Sequence, residues 1–410
     1  MKPRTCIIFI LIMTAGAPQH VAAQSPFTLE TAIQIVLQRS LEVEAARYRV
    51  ERARAEQIAA GLRPNPTVTL TAENLPIGGT AFNRLYEVAA SYSETIELGG
   101  KRRLRSSVAN LGVSVAEAQL ADVLRQKTGE IKRLYFEALL TKQAADVALE
   151  NRELFSQLLE LNQARFEEGV LPEGDLLKVR LERFKFDTAV RQAELAQAQA
   201  LIRLSEKLGE PVSGRALVTA IEFAPLNVSL DSLKQAALES RPDAAAARLE
   251  VELAAERIIL EQARRQPDIS PFAGYKRVAA DNTVLFGVSV PLRIRDQNQA
   301  GIARAIADER AAKVQSQIVT NRALAEVESA YRAFESARSL VSTFQNDVLR
   351  QADESRTITL AAYEEGATDL LPVLEAQRTR SEIRQQYYRT LFDYQASVVQ
   401  LELAAGRNLQ

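Results

Sequence analysis

The chain has 410 residues, 51 basic and 52 acidic side chains, and a formal net charge of −1. That balance excludes a general nucleic-acid binder, whose phosphate partner demands a basic surplus. The single Cys (Cys6) and single His (His20) both lie near the N-terminus with Met1 and Met13, and there is no Trp.

Residues 1–23 read as a secretory signal. Lys2 and Arg4 form a positive n-region, Ile7 to Ala15 an apolar stretch, and Val21-Ala22-Ala23 supplies the small residues that a signal peptidase accepts. The apolar stretch is too short to span a membrane. Cys6 precedes it, so it does not serve as a lipid-anchored first residue. With the leader gone, the remaining chain holds no Cys, His, Met or Trp, and its net charge falls to about −3. Disulfides, thiolate or imidazole metal sites, and Ser-His or Cys-His nucleophiles are excluded together. Later in the chain no apolar run reaches the roughly 18 residues of a spanning helix. An exported chain of this kind is periplasmic, secreted, or carried in the outer membrane as a β-barrel.

Shifted by about 200 residues, the chain repeats itself, the signature of a duplicated unit. Ala45-Ala46-Arg47 meets Ala246-Ala247-Arg248, and Pro66 meets Pro267. Farther on, Arg165-Phe166-Glu167-Glu168-Gly169 meets Ala362-Tyr363-Glu364-Glu365-Gly366, and each half closes on Gly209 or Gly406. The expected organisation is a first repeat over 24–210, a linker over 211–227, and a second repeat over 228–410.

In chain order, each repeat starts with a short helix capped by Thr28 or Ser229 and ending near Ser40 or Arg241. A second helix runs to Arg63 or Gln266, where prolines stop it. Next come two segments with the period of a strand, about 66–74 and 87–96 in the first repeat and about 268–276 and 283–291 in the second. Val284, Phe286, Val288 and Val290 share one face, while Leu285, Gly287 and Ser289 share the other. These segments approach the length of a tilted membrane-crossing strand. Pro76, Gly78, Gly79 and Asp281-Asn282 supply turn chemistry. Phe82, Tyr86, Tyr92, Phe272, Tyr275 and Phe286 are candidates for an interfacial aromatic belt.

A very long helix follows, proline-free from Lys101 to Leu171 and from Leu292 to Leu371. At about 65 residues it would span roughly 100 Å, far beyond a globular helix. Gly169 and Gly366 are its C-terminal stop candidates, and a final helix returns to Gly209 or Gly406. The two shorter helices of each repeat, laid end to end, nearly match the long one. Helices alone would suit a filamentous or soluble periplasmic coiled-coil scaffold; the strands argue against a filament. Four strands cannot close a barrel in one chain, whereas a homotrimer would supply twelve, an allowed even number.

Leu62-Arg63-Pro64-Asn65-Pro66, Glu73-Asn74 and Glu97-Leu98-Gly99-Gly100-Lys101-Arg102 resemble the first-repeat pattern of TolC-like outer-membrane efflux proteins. The branch resembled most is the CzcC/CusC type, which serves heavy-metal pumps; Pro64, Pro66, Gly99, Gly100, Lys101 and Arg102 carry the motif. The resemblance implies a mainly α fold with a small transmembrane β part. Three chains would form a 12-stranded barrel in the outer-membrane lipid, continued by a periplasmic helical barrel. The implied partners are a periplasmic adaptor (membrane fusion protein) and an inner-membrane resistance-nodulation-division transporter.

By the same resemblance, Tyr363, Thr368, Asp369 and Glu375 fall at the periplasmic entrance. Gly169, Val170 and Leu171 with Gly366, Ala367 and Thr368 fall at adaptor-docking tips. Two departures from the family pattern stand out. Pro372 occupies the place of the first acidic ring residue, and Thr368 that of the usual basic residue. In a trimer, Asp369 or Glu375 would form a ring of carboxylates that attracts cations. Asp369 and Asp175 also read as N-caps of the returning helices.

No cofactor and no catalytic constellation is expected. Paired carboxylates sit among Arg and Lys at helical spacing, as solvated faces do. Without soft ligands the chain would conduct metal cations and leave their selection to upstream components. A same-fold duct for drugs or for type I secretion is the alternative substrate reading.

Overall fold

The computed structural model describes residues 26–75, 86–212, 214–219 and 222–409. The expected leader and the turn residues Pro76, Gly78, Gly79 and Phe82 lie outside them.

The first repeat contains α1 (Leu29–Arg39), α2 (Leu41–Gly61), β1 (Thr67–Glu73), β2 (Glu87–Ser93), α3 (Lys101–Glu167) and α4 (Glu173–Leu208). The second contains α5 (Leu230–Ser240), α6 (Pro242–Ala263), β3 (Ser270–Val278), β4 (Asp281–Ser289), α7 (Gln299–Thr343), a π turn at Phe344–Val348, α8 (Leu349–Glu364) and α9 (Leu370–Ala405). Thr28 and Ser229 cap α1 and α5, each hydroxyl accepting from the backbone N–H three residues on, at 3.2 and 3.3 Å. Gly209 and Gly406 close α4 and α9 at φ +69° and +72°, a conformation that favours glycine.

The helices form a layer. α3 is its spine, packed against α1, α2 and α4 on one side and α6 and α9 on the other; α7 packs on α5, α6 and α9. Each shorter pair, α2 with α4 and α6 with α9, therefore lies along one long helical run. Spanning 67 residues, α3 is roughly 100 Å long. Apolar clusters stack along this layer. One surrounds Phe27, Ile131, Tyr135 and Leu204, another Phe334, Leu391, Tyr394 and Leu401, and a third, near the hairpin turns, Phe155, Val179, Tyr363 and Val373.

The four strands form one antiparallel sheet in the order β1-β2-β3-β4. Its register puts Val68, Tyr92, Ala273 and Phe286 in one row, and Leu70, Ala90, Tyr275 and Val284 in another row on the same face. The opposite face carries Thr69, Ser91, Gly274 and Leu285, then Glu73, Glu87, Val278 and Asp281. One face is thus apolar and the other largely polar. In the isolated chain the apolar face is bare, with Phe286 85% and Val284 78% exposed. Within the chain β1 and β4 are edge strands with one unpaired side each.

The structure corrects several expectations. α2 and α6 stop at Gly61 and Ala263, short of Arg63 and Gln266: Leu62 is already extended, and Arg264 to Gln266 turn out of the helix ahead of Pro267. The second long helix begins at Gln299 and not at Leu292. There Asp296 Oδ1 accepts from Asn298 N at 2.8 Å and Gln299 Oε1 from Gln297 N at 2.8 Å, local bonds that compete with the helix. That helix is also not uniform, since the π turn interrupts it where α3 runs unbroken. Phe272 does not join Tyr92, Tyr275 and Phe286, because its register puts it on the polar face. There its ring occupies the space over Gly287, where an added Cβ would lie 2.6 Å from Phe272 Cζ.

Candidate conduit and its hairpin tips

The repeats pack along the whole of α3 and through the β2–β3 pairing, and two of their contacts lie at the ends, one at the foot of the sheet and one at the far end of the helical layer. At the foot, the glycine-rich turn after β2 meets the end of α6. Gly99 and Gly100 adopt φ +72° and +67°, and a Cβ on Gly99 would lie 2.7 Å from Gln266 Oε1. Both the left-handed backbone and the close approach require glycine. The turn delivers buried Lys101 to Asp268 Oδ1 at 2.6 Å and to the Gln266 carbonyl at 2.5 Å. Asp268 also accepts from Leu98 N at 3.0 Å. Burial would raise the Asp268 carboxyl, yet the Lys101 ammonium and the Leu98 N–H hold it below the usual carboxylate range. Arg105 grips Glu97 through two nitrogens and donates to the Leu62 carbonyl at 3.2 Å. Gly99, Gly100 and Lys101 of the motif therefore clamp repeat one onto repeat two, whereas Arg102, Pro64 and Pro66 stand exposed beside the clamp.

At the other end, two helix hairpins lie side by side. Gly169 and Gly366 take φ +75° and +77°, and a Cβ on either would meet open space, so backbone conformation alone calls for glycine. Val170 N donates to the Arg165 carbonyl at 2.9 Å and Ala367 N to the Ala362 carbonyl at 2.8 Å, closing both turns alike. Val170 is 72% exposed, Leu171 half-buried, and Gly366 and Ala367 exposed.

The expected entrance residues separate. Asp369 and Glu375 are exposed and Thr368 is half-buried. Asp369 stands at the N-cap position of α9 but its carboxylate makes no capping bond. Asp175 is no cap at all: Pro172 holds that position in α4, and Asp175 pairs with Lys178 at 2.8 Å. Tyr363 is the clearest correction, because it is buried inside the protomer and does not face open space. Its hydroxyl bonds Asn162 Oδ1 on α3, while Asn162 Nδ2 donates to the Leu158 carbonyl at 2.7 Å.

Arg165 completes this contact. Its guanidinium lies 4.7 Å from the Tyr363 ring centroid and donates to the Tyr363 and Glu364 carbonyls at 3.3 and 3.1 Å. A cation at the C-terminus of α8 also suits the helix dipole. A basic side chain therefore stands at the Tyr363 turn, and it comes from the neighbouring hairpin. Neither Asn162 nor Arg165 is legible as functional in the sequence. The only hint is that the repeat alignment sets Arg165 opposite Ala362, an unlike pair in an otherwise similar pentapeptide.

Above the tips the seam between α3 and α9 stays polar. Asn151 Nδ2 donates to Ser381 Oγ at 2.7 Å and Gln377 Nε2 to Asn151 Oδ1 at 3.0 Å. Arg380 is held by Asp353 at 2.6 Å and Glu150 at 3.1 Å. Burial works against its charge, but the two carboxylates keep its pKa above the ordinary value. Burial, with repulsion from Arg380, lowers that of Arg356.

The family model described as "Outer membrane efflux protein" matches residues 32–210 and 233–407. The cobalt-zinc-cadmium resistance protein CzcC of Cupriavidus metallidurans is 26% identical over 94% of this chain and 91% of its own length. The nickel and cobalt resistance protein CnrC of the same organism is 29% identical over 80% of this chain and 76% of its own. Among solved structures, CusC superposes with a TM-score of 0.76 at 19% identity, covering 94% of this chain and 93% of CusC.

Proposed function

Because this chain belongs to the outer membrane efflux protein family, we propose that it is the outer-membrane exit duct of a tripartite pump, passively conducting heavy-metal cations to the outside. The observation that carries this reading is the two-faced sheet with two open edges, set on a helical layer that is equally open-sided. β1 and β4 each leave one edge unpaired. On the helices, exposed Leu177, Leu181, Phe184, Leu195 and Ile202 form a heptad-like stripe along α4. Exposed Val314, Ile318, Leu340 and Ile358 lie on α7 and α8 at the other side of the layer. Two different edges on one chain join head to tail and close as a ring. A homotrimer closes twelve strands, with the apolar face toward outer-membrane lipid and the polar face toward the lumen.

In that ring the hairpin tips form the periplasmic entrance. Tyr363, Asn162 and Arg165, on an apolar cluster that includes Phe155, Val179 and Val373, tie the α8/α9 hairpin to the α3/α4 hairpin, and parting the hairpins there would widen the entrance. Glu167, Glu168, Glu364, Glu365, Asp369 and Glu375 crowd the tips with carboxylates that draw cations toward the opening. Exposed Val170 and the neighbouring Leu171, Gly169, Gly366, Ala367 and Thr368 suit a periplasmic adaptor that bridges to a resistance-nodulation-division transporter. The metal reading rests on the named functions of CzcC and CnrC.

Deletion of the gene followed by parallel exposure to divalent metals and amphiphilic drugs tests the substrate. Sensitivity to zinc, cobalt or cadmium is expected; sensitivity confined to drugs overturns the metal assignment.

A further inference from the structure

The foot of the sheet carries a second feature besides the clamp. A groove of about 500 Å³ runs between the α2–β1 connection and the β2–α3 turn, lined by Arg63, Glu94, Ile96, Glu97, Arg102 and Arg103 among others. Its charges divide into spent and free. Lys101 is committed to Asp268, and Arg105 engages both oxygens of Glu97. Glu94 accepts from the Tyr92 hydroxyl at 3.4 Å. Among the described residues, the guanidinium groups of Arg63, Arg102 and Arg103 have neither an ion-pair nor a hydrogen-bond partner. Three unpartnered cations thus line a groove whose one loosely engaged anion is Glu94.

The groove is also continuous with the apolar face of the sheet. Ile96 bridges to Ile269 in the register that pairs β2 with β3, so it shares the face of Val88 and Tyr92, and it is 45% exposed. Leu62, beside Arg63, is 61% exposed. An occupant would therefore meet guanidinium groups at one end and an uncovered hydrocarbon-facing surface at the other. Those demands match an anionic phospholipid: a phosphate for the planar guanidinium forks, and acyl chains that continue up the sheet.

We propose that this groove binds the phosphate headgroup of an anionic phospholipid of the periplasmic leaflet, held by Arg63, Arg102 and Arg103 with an acyl chain over Ile96. The inference rests on the sheet lying in the membrane, as read above. It assigns the exposed motif residue Arg102 a ligand of its own, distinct from the clamp that its neighbour Lys101 makes.

The test uses the full-length protein purified in detergent, presented with equal amounts of phosphatidylglycerol and phosphatidylcholine and read by native mass spectrometry. Wild type is expected to retain the anionic lipid about tenfold over the zwitterionic one, the scale of a charge-assisted hydrogen bond. Arg63→Gln/Arg102→Gln/Arg103→Gln should lose that preference and keep its oligomeric state, and the triple Lys variant should keep most of it. If the triple Gln variant does not assemble, Arg102→Gln alone is read, with a partial loss expected. Equal retention of both lipids by wild type overturns the proposal, as does an unchanged preference in the variants. Inorganic phosphate that abolishes lipid retention at millimolar concentration would show a simple anion site and also overturns it. A loss of assembly without a change in lipid preference would assign the arginines to a neighbouring subunit, against the proposal. A protein that stays soluble without detergent refutes the membrane reading itself, whereas a detergent-requiring protein indifferent to headgroup refutes only this inference.

Discussion

The contacts between the repeats at the two ends of the molecule are built from different chemistry. At the foot of the sheet, a buried ammonium meets a carboxylate, two glycines fix the turn, and Arg105 clasps Glu97 just ahead of its own helix. At the tips, a phenol and an amide pair, a guanidinium stacks on the ring and bonds carbonyl oxygens, and apolar side chains pack beneath them, with no carboxylate partner. Breaking the first leaves a partly buried carboxylate without its ammonium; breaking the second leaves groups that water can satisfy once the hairpins part. The interface is therefore tied by an ion pair where the sheet begins and by hydrogen bonds, a cation–π contact and apolar packing where the hairpins turn.

The most damaging substitution attacks the ion-paired end. Lys101→Met leaves Asp268 with the Leu98 N–H alone and should lower unfolding free energy by about 2 kcal/mol, visible as a fall in melting temperature. A loss no greater than that of a tip variant would erase the contrast. Gly99→Ala comes next. Its φ of +72° and the nearby Gln266 side chain predict a loss of about 1–2 kcal/mol in the same melt. Tyr363→Phe removes only the hydroxyl bond to Asn162 and should cost about 1 kcal/mol, but should widen the entrance. Val170→Ser should leave the melting temperature within about 0.5 kcal/mol of wild type, since the side chain is exposed. Its effect should appear as weaker capture of the adaptor in a pull-down.

The mildest contrast concerns pH. Lys127 and Ser40 hold the Glu42 carboxyl down to about 2, so the stability it contributes is present above its unfolded pKa and is lost as pH falls through about 2. The melting difference between wild type and Glu42→Gln should persist at pH 5 and vanish near pH 2. Because Glu42 is largely exposed, that difference should be small at any pH.

Local chemistry makes much of the fold legible. Thr28, Ser229, Gly209 and Gly406 announce helix ends through caps that need no tertiary partner, and alternation in Val284–Val290 declares a two-faced strand. What stays hidden depends on contacts distant in sequence. Phe272 reads like its aromatic neighbours until the register sets it across from Gly287. Nothing local marks the π turn at Phe344–Val348, which has no proline or glycine in it. The tip contact is hidden for the same reason. Tyr363 stands out as a candidate, but its partners Asn162 and Arg165 lie in the other repeat, and their polar side chains look like those of any solvated helix. The motif around Gly99 is recognisable as a pattern, yet its purpose emerges only when Lys101 meets Asp268 across the repeats.

Whether this is a duct with its constriction at the hairpin tips is best decided by planar-bilayer recording of the purified wild type beside Tyr363→Phe/Arg165→Gln. Discrete, cation-selective steps are expected for wild type, and several-fold larger steps for the double variant. Absence of steps from correctly assembled protein, or equal conductance in the two proteins, would contradict a duct constricted there.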